Sequence, residues 1–168
     1  MTGAQLLTDA FGRILEGVHD VLEDVAPAAL LQRVGDKGNS IAWLVWHLTR
    51  VQDDHLAGIT GAEQVWTAAG WERRFGLPLE ASDTGYGHGP REVAAVRAGA
   101  ENLRGYFDAV HEATVGFVGS VSDAELDRVV DTRWDPPVTM GVRLVSVVAD
   151  DLQHVGQAAF LKGLLAGG

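Results

Sequence analysis

Asp150 and His154 stand four residues apart in the run Ala149-Asp-Asp-Leu-Gln-His-Val-Gly-Gln157. In a helix that spacing puts both side chains on one face, about 6 Å apart along the axis, close enough to donate to one metal ion. Gln157 extends the polar stripe, and Val147 and Leu161 bracket it with apolar surface. A carboxylate on such a face is costly to bury alone, and a cation is one way to offset it. A hydrogen-bonded Asp–His pair, or an Asp150 facing water, are the alternatives this spacing leaves open. A third donor is available in Ala42-Trp-Leu-Val-Trp-His-Leu-Thr-Arg50, where His47 shares helical spacing with Trp43, Leu44 and Val51 and is expected to point inward. An inward histidine by itself is an ordinary core residue; opposite an inward Asp/His pair it becomes a candidate ligand. Two histidines and a carboxylate with open positions suit zinc, nickel or ferrous iron.

Three further groups are candidates for proton transfer: Asp54, His55 and His88. His55 lies two turns beyond His47, about 12 Å along the axis, so it cannot share that ion. Asp54 and His55 are either acid–base or ligand-orienting groups, or a solvated helix end. His88, in the run Thr84-Gly-Tyr-Gly-His-Gly, can reach the open end of a bundle or simply be exposed. His19 and His111 have no evident polar partners and read as helix-flank residues. Glu16-x-x-His19 and Asp151-x-x-His154 match half of a di-iron pattern, but Glu16 faces away from its helix's apolar stripe. The tryptophans Trp43, Trp46, Trp66, Trp71 and Trp134 read as core or loop anchors, some of which could line a pocket.

Four helices must position these residues. The first, about Thr2 to Val25, repeats Leu7, Phe11, Ile14, Val18, Val21 and Val25 on one face, with Pro27 helping to end it. The second runs from about Asn39 to Ile59, capped by Asn39 or Ser40 and closed by Gly58 and Gly61. The third is expected from Gly89-Pro90 to Val118 without a break. Ser122 and Glu125 form a capping box for a short helix. The fourth, about Thr139 to Ala166, is apolar on nearly every side and should be central. The expectation is an all-α, single-domain four-helix bundle over residues 1–168. Thr60 to Gly89 forms its long crossover, and such a length points to function or to short helices of its own. The Gly-x-Gly-x-Gly in it has neither the preceding strand nor the Lys-Ser/Thr of a phosphate loop.

Composition narrows the functions. The chain has 168 residues, no cysteine, and a net charge of −10 from 13 basic and 23 acidic side chains. The length fits one domain. Without cysteine there is no disulfide framework, thiolate zinc finger, iron–sulfur cluster or cysteine nucleophile. The acidic balance argues against nucleic acid and against anionic membrane surfaces. Met1 to Asp9 lacks the features of a signal peptide, and Val142 to Leu165 carries Arg143, Asp150, Asp151, His154 and Lys162, too many charges for a membrane span. A cytoplasmic location is the expectation. Only Lys37 and Lys162 of the 13 basic residues are lysines, a bias resembling that of GC-rich bacterial genomes.

Four segments, in order and covering nearly the whole chain, resemble one family. Gly38-Asn-Ser-Ile-Ala-Trp-Leu-Val-Trp-His-Leu-Thr-Arg-Val-Gln-Asp-Asp-His55 is similar to the second helix of the DinB-like superfamily. Asp83-Thr-Gly-Tyr-Gly-His88, Arg133-Trp-Asp-Pro-Pro-Val-Thr139 and Asp150-Asp-Leu-Gln-His-Val-Gly-Gln-Ala-Ala159 resemble its actinobacterial mycothiol-transferase branch. The resemblance implies an up-up-down-down bundle and a divalent metal, zinc first, held by His47, Asp150 and His154. Many members have three histidines; here Asp150 takes the middle position, where the related mycothiol-dependent maleylpyruvate isomerases use a glutamate. Asp is shorter by one methylene, and adjacent Asp151 is the fallback ligand. The isomerases' second domain has no counterpart in this chain, so their activity is not carried over.

The expected function is a metal-dependent transferase that activates a mycothiol-like thiol as thiolate for attack on an electrophile. Hydrolysis by metal-bound water is the first alternative. A non-catalytic bundle that binds a small ligand is the second. The expected partners are a small-molecule thiol and an electrophile, with a homodimer also plausible. The missing cysteines fit a thiol that arrives from outside.

Overall fold

The computed structural model describes residues 1–166, and its four long helices follow from the apolar periodicity. Helix α1 (Gly3–Leu22) is capped by Thr2, whose hydroxyl accepts from the Gln5 amide while the Gln5 side chain accepts from the Thr2 amide. It buries Leu7, Phe11, Ile14, Val18, Val21 and Leu22. A five-residue helix, α2 (Pro27–Leu31), follows, with Pro27 at its first turn, so this proline opens a helix as well as closing one. Helix α3 (Ile41–Thr60) is capped by Ser40, which accepts from the Trp43 amide at 3.1 Å, and ends at Gly61 with φ 75°. That left-handed cap suits glycine.

The crossover holds two short helices, α4 (Val65–Ala68) and α5 (Trp71–Phe75). The uninterrupted third helix expected from Gly89 to Val118 is instead two: α6 (Pro90–Ala95) and α7 (Ala100–Val118). Val96 leaves the helical region with ψ 91°, and Gly99 caps the restart. The break buries Val96 and Ala98 against the core, which a continuous helix would have carried round its axis. Beyond α7, the Ser122 amide and hydroxyl both donate to the Glu125 carboxylate, so only the glutamate half of the expected capping box forms, before a 3₁₀ turn, Glu125–Asp127. A small antiparallel pair follows, β1 (Val129–Asp131) with β2 (Val138–Thr139), too short to show as a strand pattern in sequence. Helix α8 (Met140–Ala166) completes the bundle.

In the bundle α8 packs on α1 and α3, and α7 packs on the same two from the other side. Gly17 meets Val155, and Lys162 donates to the carbonyls of Asp20 and Glu23, so α1 and α8 run parallel. His47 meets His154 while Val51 and His55 share a cleft with Ser146, so α3 and α8 run antiparallel. His19 of α1 bonds Asp108 of α7, whereas Thr2 and Gln5 lie beside Gly119, again antiparallel. The order is therefore up-down-down-up, and the expected up-up-down-down path is corrected. An up-up-down-down chain needs two long crossovers; here the parallel pair α3 and α7 is joined by the one long crossover.

The core runs the length of the bundle, with Trp46, Phe11, Tyr106, Phe107, Ile14 and Leu48 fully buried. Two oppositely charged residues of α3, Arg50 and Asp53, sit inside it. The Arg50 guanidinium, fully buried, donates to the carbonyls of Asp83 (3.0 Å) and Ala81 (3.1 Å) and to Gln64 Oε1 (2.7 Å), and lies over the Trp66 ring at 5.1 Å. Asp53, 3.7 Å from it, accepts from the Val65 and Trp66 amides and the Tyr106 hydroxyl. This pair fastens both ends of the crossover to α3. Asp53→Ala should therefore lower unfolding free energy by about 3–5 kcal/mol in urea denaturation, because it leaves a buried arginine without its counter-charge.

Asp151 of α8 is a further buried carboxyl, and it faces the core with neither oxygen partnered among the described residues. Burial, and secondarily the charge of Asp150, push its carboxyl well above the usual range. Such a group weakens the fold as pH rises above the unfolded carboxyl's value, since the unfolded chain ionises freely while the native one resists. Asp151→Asn should raise the urea midpoint at neutral pH, with the gain disappearing near pH 4.

Candidate metal centre

Four side chains or main-chain groups on three elements build the site. His47 is buried on the inner face of α3. The crossover returns across it, and its Nδ1 donates to the Thr84 carbonyl, leaving Nε2 with its lone pair for a ligand role. Trp43 stacks on the ring at 4.5 Å and 14°, fixing its plane. Gly85 makes the close approach possible: its φ is +94°, and a Cβ there would come within 2.5 Å of His47 Nδ1. Only glycine adopts that conformation with that clearance.

Across the cleft, α8 presents His154 and Asp150. His154 Nδ1 lies 3.1 Å from Gln157 Oε1, so Gln157 takes its N–H and turns Nε2 toward Asp150, 3.6 Å away. The His47 and His154 rings meet edge-on at 4.7 Å. One donor atom from each of His47, Asp150 and His154 lies within 4.8 Å of the others, and this group could hold a metal ion. The helical spacing of Asp150 and His154 thus does bring both beside His47, and the shorter aspartate reaches. Asp151, the fallback, points into the core and does not join them.

The donor chemistry fits a divalent cation. Asp150 Oδ2 is buried and has no hydrogen-bond partner among the described residues. Burial opposes ionisation of Asp150, but His154, with His47 and His55 adding to it, outweighs burial and holds the carboxyl below its usual range. Burial lowers His47 and keeps it neutral. The Asp150 carboxylate raises His154. A proton on His154 therefore stands where a cation would, and the histidines' outer nitrogens are already engaged, the arrangement that orients metal-ligating imidazoles.

On one side the group opens into a cleft of about 630 Å³ lined by Val51, Asp54, His55, Thr84, Tyr86, Trp134 and Ser146. Asp54 and His55 thus face the cleft and are not merely a helix end; Asp54 is held by Gln64 at 2.8 Å, and burial, then the charge of Arg143, keep His55 neutral. His88 does not line it. The ring lies inside, stacked on Trp46 and accepting from Trp43 Nε1 at 3.2 Å, so it braces the tryptophan that braces His47. Trp134 and Tyr86 stand exposed at the mouth, whereas Trp43, Trp46 and Trp66 are core. His19, contrary to expectation, has partners, Asp108 at 2.6 Å and Arg104 at 3.2 Å, both on α7 and remote in sequence. The Thr84 carbonyl was not legible in sequence, because a main-chain acceptor carries no residue-type signal. Gln157 was, through its spacing from His154.

Among the described residues no helix is long and apolar enough to cross a membrane. None of the curated proteins compared matches this chain. Among solved structures, a crystal structure of a conserved protein from Enterococcus faecalis superposes with a TM-score of 0.92 at 29% identity, covering 100% of this chain and 99% of that one. The sequence profile of the DinB superfamily matches residues 10–158, a span that includes α3 and α7 whole, most of α1 and α8, and the His47, Asp150 and His154 group, and the chain belongs to that superfamily.

Proposed function

We propose that this protein is a metal-dependent transferase in which His47, Asp150 and His154 hold a divalent ion, zinc first among the candidates, and a small mycothiol-like thiol is the nucleophile. The observation that carries this reading is the open side of the donor group. A group of three protein donors, two of which (His47 and Asp150) line a large cleft, follows the pattern of catalytic zinc sites, which keep a position for a ligand, whereas structural sites are closed by a fourth donor. A divalent ion bound there supplies the charge that keeps a coordinating thiol deprotonated at neutral pH. The chain has no cysteine, so that thiol comes from solution.

The protein's own residues do the remaining work. Thr84 and Gln157 hold the two imidazoles with Nε2 free, and Trp43 keeps the His47 ring from rotating. The proton that the thiol gives up leaves to solvent through the open cleft, whose wall carries neutral His55 with Asp54 3.8 Å behind it, two turns away from His47. Tyr86 and Trp134 offer apolar surface to an electrophile at the mouth.

Metal analysis of purified protein should find about one divalent ion per chain, and His47→Ala or His154→Ala should remove it. Chelation should lower the melting temperature, by an amount equivalent to about 2.7 kcal/mol when the free ion had been at a hundred times its Kd. Zinc affinity should fall as the pH drops, first through protonation of His154, whose proton is the more tightly held of the two histidines.

Conjugation of mycothiol to a generic electrophile, followed by mass spectrometry, should be abolished by both histidine variants. His55→Ala, two turns from His47, should leave the bound ion in place. Metal-loaded protein inert toward every thiol, or active in ester hydrolysis without one, would replace the transferase reading with the hydrolytic or binding alternative.

A further inference from the structure

A second cleft, of about 460 Å³, adjoins the first and shares Asp54, His55 and Arg133 with it. Its other walls include Gln64, Val130, Asp131 and Arg143. Asp131, at the end of β1, accepts from the Arg133 amide and Nε through Oδ1, and from Nη2 of both Arg133 and Arg143 through Oδ2 at 2.8 Å. One carboxylate thus stands between two guanidiniums, and with Asp54 the lining holds two carboxylates and two guanidiniums, so the positive charge is local to the arginines' free N–H groups. Asp54, the acidic group on the opposite wall, already has Oδ1 taken by Gln64.

Arg143 is the informative residue. Its side chain is only 18% exposed, yet Nη2 is its single nitrogen with a protein acceptor among the described residues. A half-desolvated guanidinium with free donors matches the planar geometry of a carboxylate or phosphate. Arg143 lies seven residues before Asp150 on α8, two turns and about 10 Å along the axis, and the wall between them carries Ser146 with Val51 opposite.

We propose that Arg143, steadied by Asp131 and Arg133, is an anion-binding subsite, and that the ligand reaching His47, Asp150 and His154 carries a carboxylate or phosphate about 10 Å from its reacting atom. The subsite selects an elongated, singly anchored anion. An acidic protein repels anions in general, so a local guanidinium admits only those long enough to engage both ends of the cleft. This rests on the proposed reading of the metal group as the reacting end.

The test uses zinc-loaded full-length protein and two matched probes, ω-mercaptooctanoate and ω-mercaptooctanol, titrated calorimetrically. The eight-carbon chain spans the two helical turns. The acid should bind about tenfold more tightly than the alcohol, as expected for one charge-assisted bond pair. In Arg143→Gln that advantage should vanish while the alcohol's affinity is unchanged, which also shows that the variant is folded. The shorter pair ω-mercaptopentanoate and ω-mercaptopentanol should show no advantage in the wild type, a control that needs no variant. Equal binding of the octyl pair, an advantage that survives Arg143→Gln, or an equal advantage in the short pair overturns the subsite. If neither thiol binds, the thiol reading falls. A zinc-directed hydroxamate pair of the same length, ending in carboxylate or hydroxyl, then decides the subsite alone: an Arg143-dependent preference for the carboxylate upholds it, and its absence overturns it.

Discussion

The buried Arg50–Asp53 pair is the constraint on which the rest of the structure depends. A four-helix bundle with one long connection has to decide where some thirty residues of crossover lie, and apolar contacts alone leave that choice loosely defined. Here two charges inside α3 settle it. Arg50 takes carbonyls from residues 81 and 83 near the end of the crossover, and Asp53 takes amides from residues 65 and 66 near its start. A buried ion pair is a poor source of net stability, because desolvation offsets most of its attraction. Its value is specificity: any other path of the crossover would leave a guanidinium or a carboxylate in the core without partners.

From that constraint the metal group follows in short steps. With Asp83 held by Arg50, the next carbonyl, Thr84, is placed over His47, and Gly85 turns the chain away where no other residue could. His47 then presents one nitrogen and no other to the facing helix. On α8 nothing of the kind is needed, because Asp150, His154 and Gln157 share a face by spacing alone. The two halves of the site are therefore organised differently: one by helical periodicity, the other by a loop tied down from two places. Crossover order and ligand geometry are coupled, which is why the tryptophan and histidine that brace His47, Trp43 and His88, come from α3 and from the crossover's end.

That difference explains what could be read in the sequence. Helix existence, the caps at Thr2 and Ser40, and the Asp150, His154, Gln157 stripe all arise from local periodicity and side-chain chemistry. So did the inward direction of His47. The helix break at Val96–Gly99 escaped because a weakly polar Ala/Val/Gly stretch is compatible with either state, and burial of Ala98 decided it. Helix directions escaped because they depend on how many connections are long. Asp53 and Arg50, at helical spacing in a segment whose other face carries His47, could have been noticed as charges on a helix buried on all sides. Their partners could not, being main-chain groups.

The antiparallel pairing of α3 and α8 has a consequence for what the cleft can hold. Residues that ascend one helix face residues that descend the other, so His47 and His154 close one end while His55 and Arg143 stand together at the other. Each helix alone would offer a row of polar groups. Paired in opposite senses, they set a cation-binding end and a cationic end about two turns apart, with Val51 and Ser146 between. An ion bound at His47, Asp150 and His154 would place positive charge at both ends of a groove in a protein whose net charge is −10. A ligand with a thiolate at one end and an anion at the other meets attraction at both ends, but only after its length has carried it past an acidic surface that discourages shorter or more highly charged competitors.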